Sequence, residues 1–210
     1  MNNSQMSTDS SRTSDKTLYN ANLNDACYFD NVELVKLLIM AGSDVNETDI
    51  HNVPCLTYAC RSENLEIIKL LFENGAKVNV RDMYGNTALI YTCRSTDNVK
   101  IAKLLLEKDA KVNEIDDLER SALMWACKRN RTEMIKLLLE HGASINVQDR
   151  YGESHLIWTC ENNNIEMVKF LIAKGANVNV KDEDGDTPLI IASKKNNMEI
   201  INLLIAKGAT

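Results

Sequence analysis

Residues 182–209 read DEDGDTPLIIASKKNNMEIINLLIAKGA, and this stretch decides the fold. Thr187 is placed to N-cap a helix whose first position holds Pro188, where the missing N–H costs nothing. That helix is expected to run to about Lys195 and to break at Asn196-Asn197. A second helix carries Ile200, Ile201, Leu203, Leu204 and Ile205, then stops at Gly208, the usual left-handed residue past a helix C-terminus. Its apolar positions cover more than one face, so it must be sandwiched between neighbours rather than lie on a surface.

Outward from this stretch the same pattern recurs. AGSDVN ends at Asn46, NGAKVN at Asn79, KDAKVN at Asn113, HGASIN at Asn146 and KGANVN at Asn179, with spacings of 33, 34, 33 and 33 residues. An Asp opens each unit: Asp49, Asp82, Asp116, Asp149 and Asp182. A fixed period of this length marks a solenoid, because one unit cannot bury its apolar faces alone. The period, the Asp-x-x-Gly turn, the Thr187-Pro188-Leu189 stretch and the Gly-Ala-x-Val-Asn ending together resemble the ankyrin repeat. The resemblance implies an all-α solenoid of stacked helix-turn-helix units with β-turn or hairpin fingers. It covers 17–210 in six units, 17–48, 49–81, 82–115, 116–148, 149–181 and 182–210, the first a degenerate cap. Residues 1–16 are polar with almost nothing to bury and are expected to form a disordered tail.

Departures from the pattern fall mid-chain. The third unit has an extra residue around Ser95 to Asn98, which predicts a bulged helix–helix turn, and it puts Asp109 where the others have Gly. Glu119 replaces the turn Gly of the fourth unit. A positive φ at such residues costs about 1 kcal/mol relative to Gly. No unit with a polar outer face follows Ile200–Ile205, so apolar surface and self-association are expected there.

Composition narrows the function classes. A net charge of -6 argues against a general nucleic-acid binder, which needs a basic surface. No apolar run approaches the roughly 18–20 residues of a membrane span. The opening MNNSQMSTDSSRTSDKT lacks the apolar core of a secretory signal. Six cysteines without such a signal fit a reducing compartment, so the cytoplasm is expected, with the nucleus also open.

Cys27, Cys60, Cys93, Cys127 and Cys160 recur at one repeat position. Stacked repeats hold equivalent sites roughly 8–10 Å apart, beyond disulfide or shared-zinc reach, so these are expected to be small buried fillers. His51, His141 and His155 occupy three different repeat positions with no ligand or nucleophile partner. There is no phosphate-binding or dinucleotide glycine motif. No catalytic residue, metal or cofactor is therefore expected, and the chain is read as a non-enzyme.

Tyr58, Tyr91, Trp125 and Trp158 share one repeat position, with Ile191 in the sixth unit. The resemblance implies that this position faces the concave groove. The ladder is either an interface stripe, since Tyr and Trp dominate interface energetics, or repeat-to-repeat packing. Three residues on lie Arg61, Arg94 and Lys128, then Glu161 and Lys194, with Arg129 and Lys195 one further. Basic residues beside aromatics suggest a groove for an acidic or carboxylate-bearing segment. Tyr84, Leu118 and Tyr151 stand at the finger tips and complete the footprint. The leading expectation is a protein-interaction scaffold. The alternatives are a sensor of nucleotide or polyphosphate, as in channel-associated ankyrin domains that this arrangement resembles, and the targeting part of a larger enzyme or effector.

Overall fold

The computed structural model describes residues 22–210, so the tail and the first residues of unit one lie outside it. Among the described residues, twelve helices follow one another in six pairs. The first helices are α1 (Leu23–Tyr28), α3 (Cys55–Arg61), α5 (Ala88–Ser95), α7 (Ala122–Lys128), α9 (His155–Glu161) and α11 (Pro188–Lys194). The second helices are α2 (Val32–Met40), α4 (Leu65–Glu73), α6 (Val99–Glu107), α8 (Thr132–Glu140), α10 (Ile165–Ala173) and α12 (Met198–Ala206). Each first helix packs on its own second helix and on the first helices of adjacent units, which makes a stack with a continuous spine.

Capping fixes where these short helices start. The Thr87, Ser121, Ser154 and Thr187 hydroxyls each accept a backbone N–H three residues on, and Pro188 takes the first turn of α11. Second helices start on Asn31, Asn64, Asn98, Asn164 and Asn197, whose side-chain carbonyls accept from the first-turn amides. Each such cap contributes about 1 kcal/mol. The exception is α8, which starts on Arg131 with no side-chain cap.

The spine is aliphatic. Ile67, Leu71, Ile101, Leu105, Met134, Leu138, Val168, Leu171, Ile200 and Leu204 are buried between layers, and the five ladder cysteines fill the gaps between first helices. Burial pushes the Cys60, Cys127 and Cys160 thiols up to about 12 and raises Cys93 further. Cys55, outside the ladder, is also buried and donates to the Val45 carbonyl at 3.0 Å.

The fingers form hairpin-like loops pinned by isolated bridges, Thr48 to Pro54, Ile115 to Ser121 and Gln148 to Ser154. In each, the opening Asp ties the loop shut. One carboxylate oxygen of Asp116, for example, accepts from the Leu118 and Arg120 amides, both at 2.9 Å. Neighbouring fingers are stitched through the backbone: the amides of Met83, Asp117, Arg150 and Glu183 donate to the carbonyls of His51, Tyr84, Leu118 and Tyr151 at 2.9–3.0 Å.

The repeated Asn locks the turn of the following unit to its own. Asn146 donates to the Gly175 carbonyl at 2.9 Å and accepts from the Asn177 amide at 2.8 Å, and Asn46, Asn79, Asn113 and Asn179 do the equivalent. The signal is invisible locally because both partners lie about thirty residues on.

Asp109 and Glu119 adopt positive φ values of 61° and 62°, so these positions keep the glycine geometry without the glycine. At the carboxyl end, Ile200 and Leu204 are fully buried rather than exposed, and the open apolar residues are Ile190, Met198 and Ile205. The helix period alone could not tell which face of α12 meets α10.

The inserted residue of unit three is absorbed at the α5–α6 turn. Elsewhere the turn contains a left-handed residue, Asp30, Glu63, Asn130, Asn163 or Asn196. The amides of this residue and the next one cap the first helix. In unit three, Thr96 is extended (φ -123°, ψ 162°) and caps Thr92 alone, so the Cys93 carbonyl loses its usual donor. Arg131 replaces it from the next unit, its Nη1 donating to Cys93 O at 2.9 Å and Thr92 O at 3.2 Å. The residue that gave up capping α8 caps α5 instead.

Candidate concave groove

The aromatic ladder hangs from the first helices toward the finger aspartates. Tyr58 Oη donates to Asp49 at 2.5 Å and Trp125 Nε1 donates to Asp116 at 2.8 Å. Burial works to raise Asp49, but hydrogen bonds from Tyr58, Val53 and His51 outweigh it and hold the carboxyl below its ordinary range. Burial, with Asp49 beside it, pushes the Tyr58 phenol up to about 12. These bonds spring from the repeat itself, since the ladder residue always stands nine positions after the opening Asp.

Trp125 is only 6% exposed, so most of its ring belongs to the packing alternative. Three cations surround it: the guanidinium carbons of Arg94 and Arg120 lie 4.9 and 5.2 Å from the ring centroid, and Lys128 Nζ 5.8 Å. A cation facing an indole in a desolvated site contributes on the order of 1–2 kcal/mol. Trp158 differs. Its Nε1 is buried without a partner, because Arg120 Nε has taken the equivalent carboxylate, Asp149, at 2.7 Å. Lys128 Nζ sits 3.7 Å over the Trp158 ring. Burial, with the Arg120 charge adding, lowers the Lys128 ammonium from its ordinary range.

Arg120 was not visible as a special residue in the sequence. It is 6% exposed, pairs with Asp149 and with Glu153 at 3.1 Å, and stacks 5.5 Å from the Tyr151 ring. It joins finger four to finger five beneath the groove.

Along the first helices and fingers lie three cavities that share lining residues. One of about 140 Å³ is lined by Tyr58, Arg61, Tyr84 and Tyr91, with His51 and Asp82. The next, about 340 Å³, shares Tyr84 and Tyr91 and adds Arg94, Leu118 and Trp125. A third, about 690 Å³ and mainly polar, lies toward the helix C-termini and is walled by Arg61, Tyr91, Arg94, Arg129 and Arg131. Eight of the eleven residues singled out from the sequence line these three spaces: Tyr58, Arg61, Tyr84, Tyr91, Arg94, Leu118, Trp125 and Arg129. Lys128, Tyr151 and Trp158 do not line them: Tyr151 lies against Arg120, and Lys128 sits over the rings of Trp125 and Trp158.

The tips remain open: Tyr84 is 57% and Tyr151 43% exposed, with Leu118 half-buried. The basic stripe splits in two. Lys194 pairs with Asp186, and Lys195 with Glu161 at 2.8 Å, whereas Arg61, Arg94 and Arg129 form no ion pair among the described residues. Of the histidines, His51 Nδ1 lies 3.2 Å from Met83 Sδ and His141 Nδ1 lies 2.9 Å from Leu137 O, both structural contacts. No grouping of His, Cys, Asp and Glu that could hold a metal occurs among the described residues. No helix among them is long and apolar enough to cross a membrane.

The finger-and-groove geometry has a match in sequence space. The family model described as ankyrin repeats (3 copies) matches residues 23–116, 84–149 and 123–210. The chain belongs to the ankyrin repeat family. Among solved structures, the human ASB11 ankyrin repeat domain superposes with a TM-score of 0.78 at 31% identity, over 90% of this chain and 85% of that one. Comparison with curated proteins gives no match. Ankyrin repeats are in general protein–protein interaction modules, and the helical stack seen here is that of a member.

Proposed function

We propose that the chain is an interaction scaffold that holds an extended or helical segment of another protein, acidic in character, against the concave groove of units two to four. The observation that carries this reading is the pair of cavities sharing Tyr84 and Tyr91. Their walls combine tyrosine rings, Leu118 and unpaired arginines, which is the composition of an interface centre rather than of a solvated loop. The tips are the accessible part of that wall, and the ladder behind them holds the wall rigid. A preorganised surface loses little entropy on binding.

The test is capture of binding proteins by the wild-type chain beside a Tyr84→Ala/Leu118→Ala variant, with circular dichroism and melting followed in parallel. Both side chains are at least partly open, so the variant is expected to keep its fold and lose its partners. A folded variant that captures the same proteins with the same yield would sink the groove reading.

A further inference from the structure

Arg61, Arg94, Arg129 and Arg131 wall one polar cavity of about 690 Å³, together with Tyr91, Ser95, Thr96 and a single carboxylate, Glu63. None of the four guanidiniums forms an ion pair among the described residues, while the chain as a whole carries a net charge of -6. Four cations facing one space repel one another, and Glu63 is the one carboxylate among the residues that line it, so the wall keeps an excess of positive charge.

Three of the four are also held in place. Arg131 is fixed by its two bonds to the end of α5, which occupy Nη1 and leave its remaining N–H groups for other partners. Arg94 rests 4.9 Å over the Trp125 ring and Arg61 5.4 Å over the Tyr28 ring. Stacking on an aromatic face sets the plane of a guanidinium and leaves its edge free to donate. Burial lowers Arg131 from its ordinary range, with Asp97 opposing, but an arginine keeps its charge. Preorganised donors around one space are the arrangement that recognises a multiply charged anion.

We infer that this cavity is a recognition site for a phosphate monoester carried on a segment of the bound partner, a phosphorylated side chain that enters as the segment lies in the adjoining groove. The inference rests on the groove reading above. A phosphate monoester brings a charge of about -1.5 to -2 and three acceptor oxygens, which suits several guanidiniums better than a carboxylate does. The space also exceeds what an isolated phosphate ion fills, and its volume falls within the roughly 300–1,000 Å³ of sites that enclose a larger ligand. It opens beside Tyr91, which also lines the two groove cavities. The inserted residue of unit three creates the site, because it frees Cys93 O and so draws Arg131 across from α8.

The test titrates the 210-residue chain, followed through its arginine Nε resonances, with three probes. They are inorganic phosphate, a Gly/Ser peptide containing one phosphoserine, and the same peptide with Glu in that place. The phosphopeptide is expected to shift the Arg61, Arg94 and Arg129 signals and to bind at least tenfold more tightly than either other probe. Arg61→Gln/Arg129→Gln, at two exposed positions, is expected to weaken it at least tenfold while melting as the wild type does. Absence of any shift at millimolar phosphopeptide would overturn the site, as would equal affinity for the Glu peptide or an unaffected double variant. Inorganic phosphate binding as tightly as the phosphopeptide would overturn the assignment to a segment. Failure of the groove reading is separable. In that case Tyr84→Ala/Leu118→Ala captures partners normally although the phosphopeptide still binds. Partners that survive both phosphatase treatment and the arginine variant would defeat the phosphate site alone.

Discussion

Arg131 reaches back from the start of α8 to the end of α5, and its Nη1 donates to the Cys93 carbonyl at 2.9 Å. It stands where five other units use Asn as a cap. Two irregularities, an inserted residue and a missing cap, are thus one compensated change. Arg131→Asn is expected to restore the local cap but strand Cys93 O, with a net loss of about 1–2 kcal/mol in chemical denaturation. The same substitution combined with deletion of one residue between 95 and 98 should recover that loss. If the two changes prove additive, Arg131 does not serve the insertion.

Trp125 should behave as core. Trp125→Ala is expected to cost about 3–5 kcal/mol, through a cavity and the loss of the bond to Asp116. Tyr84→Ala at the open tip should stay within about 0.5 kcal/mol of the wild type. Melting curves of the pair check this, and comparable losses at both positions would contradict the burial described.

Arg120→Met should be more damaging than its surface-like residue type suggests. It leaves Asp149 buried without its cation, and breaking such a pair costs about 3–5 kcal/mol. The loss should concentrate in units four and five, where hydrogen exchange of the finger amides at Arg150 and Glu153 would quicken first.

His155 is fully buried with neither ring nitrogen bonded, and burial pushes it down to about 4, with the backbone at Ile145 opposing. The sign follows from comparing the two states. Above about pH 6.5 both are neutral, whereas below it the unfolded chain takes a proton that the fold refuses. Stability should therefore fall as the pH drops from 6.5 to 4, by about 3 kcal/mol in all, and level off below. Burial and the neighbouring Asp149 push Glu153 up, which acts in the opposite sense. The comparison that isolates the histidine is His155→Pro, which copies Pro188 at the equivalent position and should lack this part of the acid slope.

The six thiols should resist alkylation in the native protein at neutral pH and react after unfolding, since all are buried. Rapid labelling of any one of them in the folded chain would place it at an opening segment.

The sequence made the architecture legible because the repeat states it several times over. The positions of Thr187, Pro188 and Gly208 told where helices begin and end, and the five equivalent cysteines could only be internal. The groove was legible as a set of residues, since one repeat position maps to one line along the stack. What stayed hidden depended on pairs between units. Nothing at Arg120 indicates that it would take the carboxylate expected for Trp158, and nothing at Arg131 indicates a partner 38 residues earlier. The burial of Trp125 was hidden in part for the same reason: Arg94, which stacks closest to its ring, comes from the preceding unit.

The fingers are joined tip to tip by backbone amide and carbonyl groups, from His51 to Met83, Tyr84 to Asp117, Leu118 to Arg150 and Tyr151 to Glu183, to which the Arg81, Arg120, Gln148 and Arg150 side chains add bonds between neighbouring fingers. A backbone bond is indifferent to the side chain beside it. The letters at Tyr84, Leu118 and Tyr151 can therefore be rewritten while the page holding them stays flat, so that a change of partner demands no change of architecture.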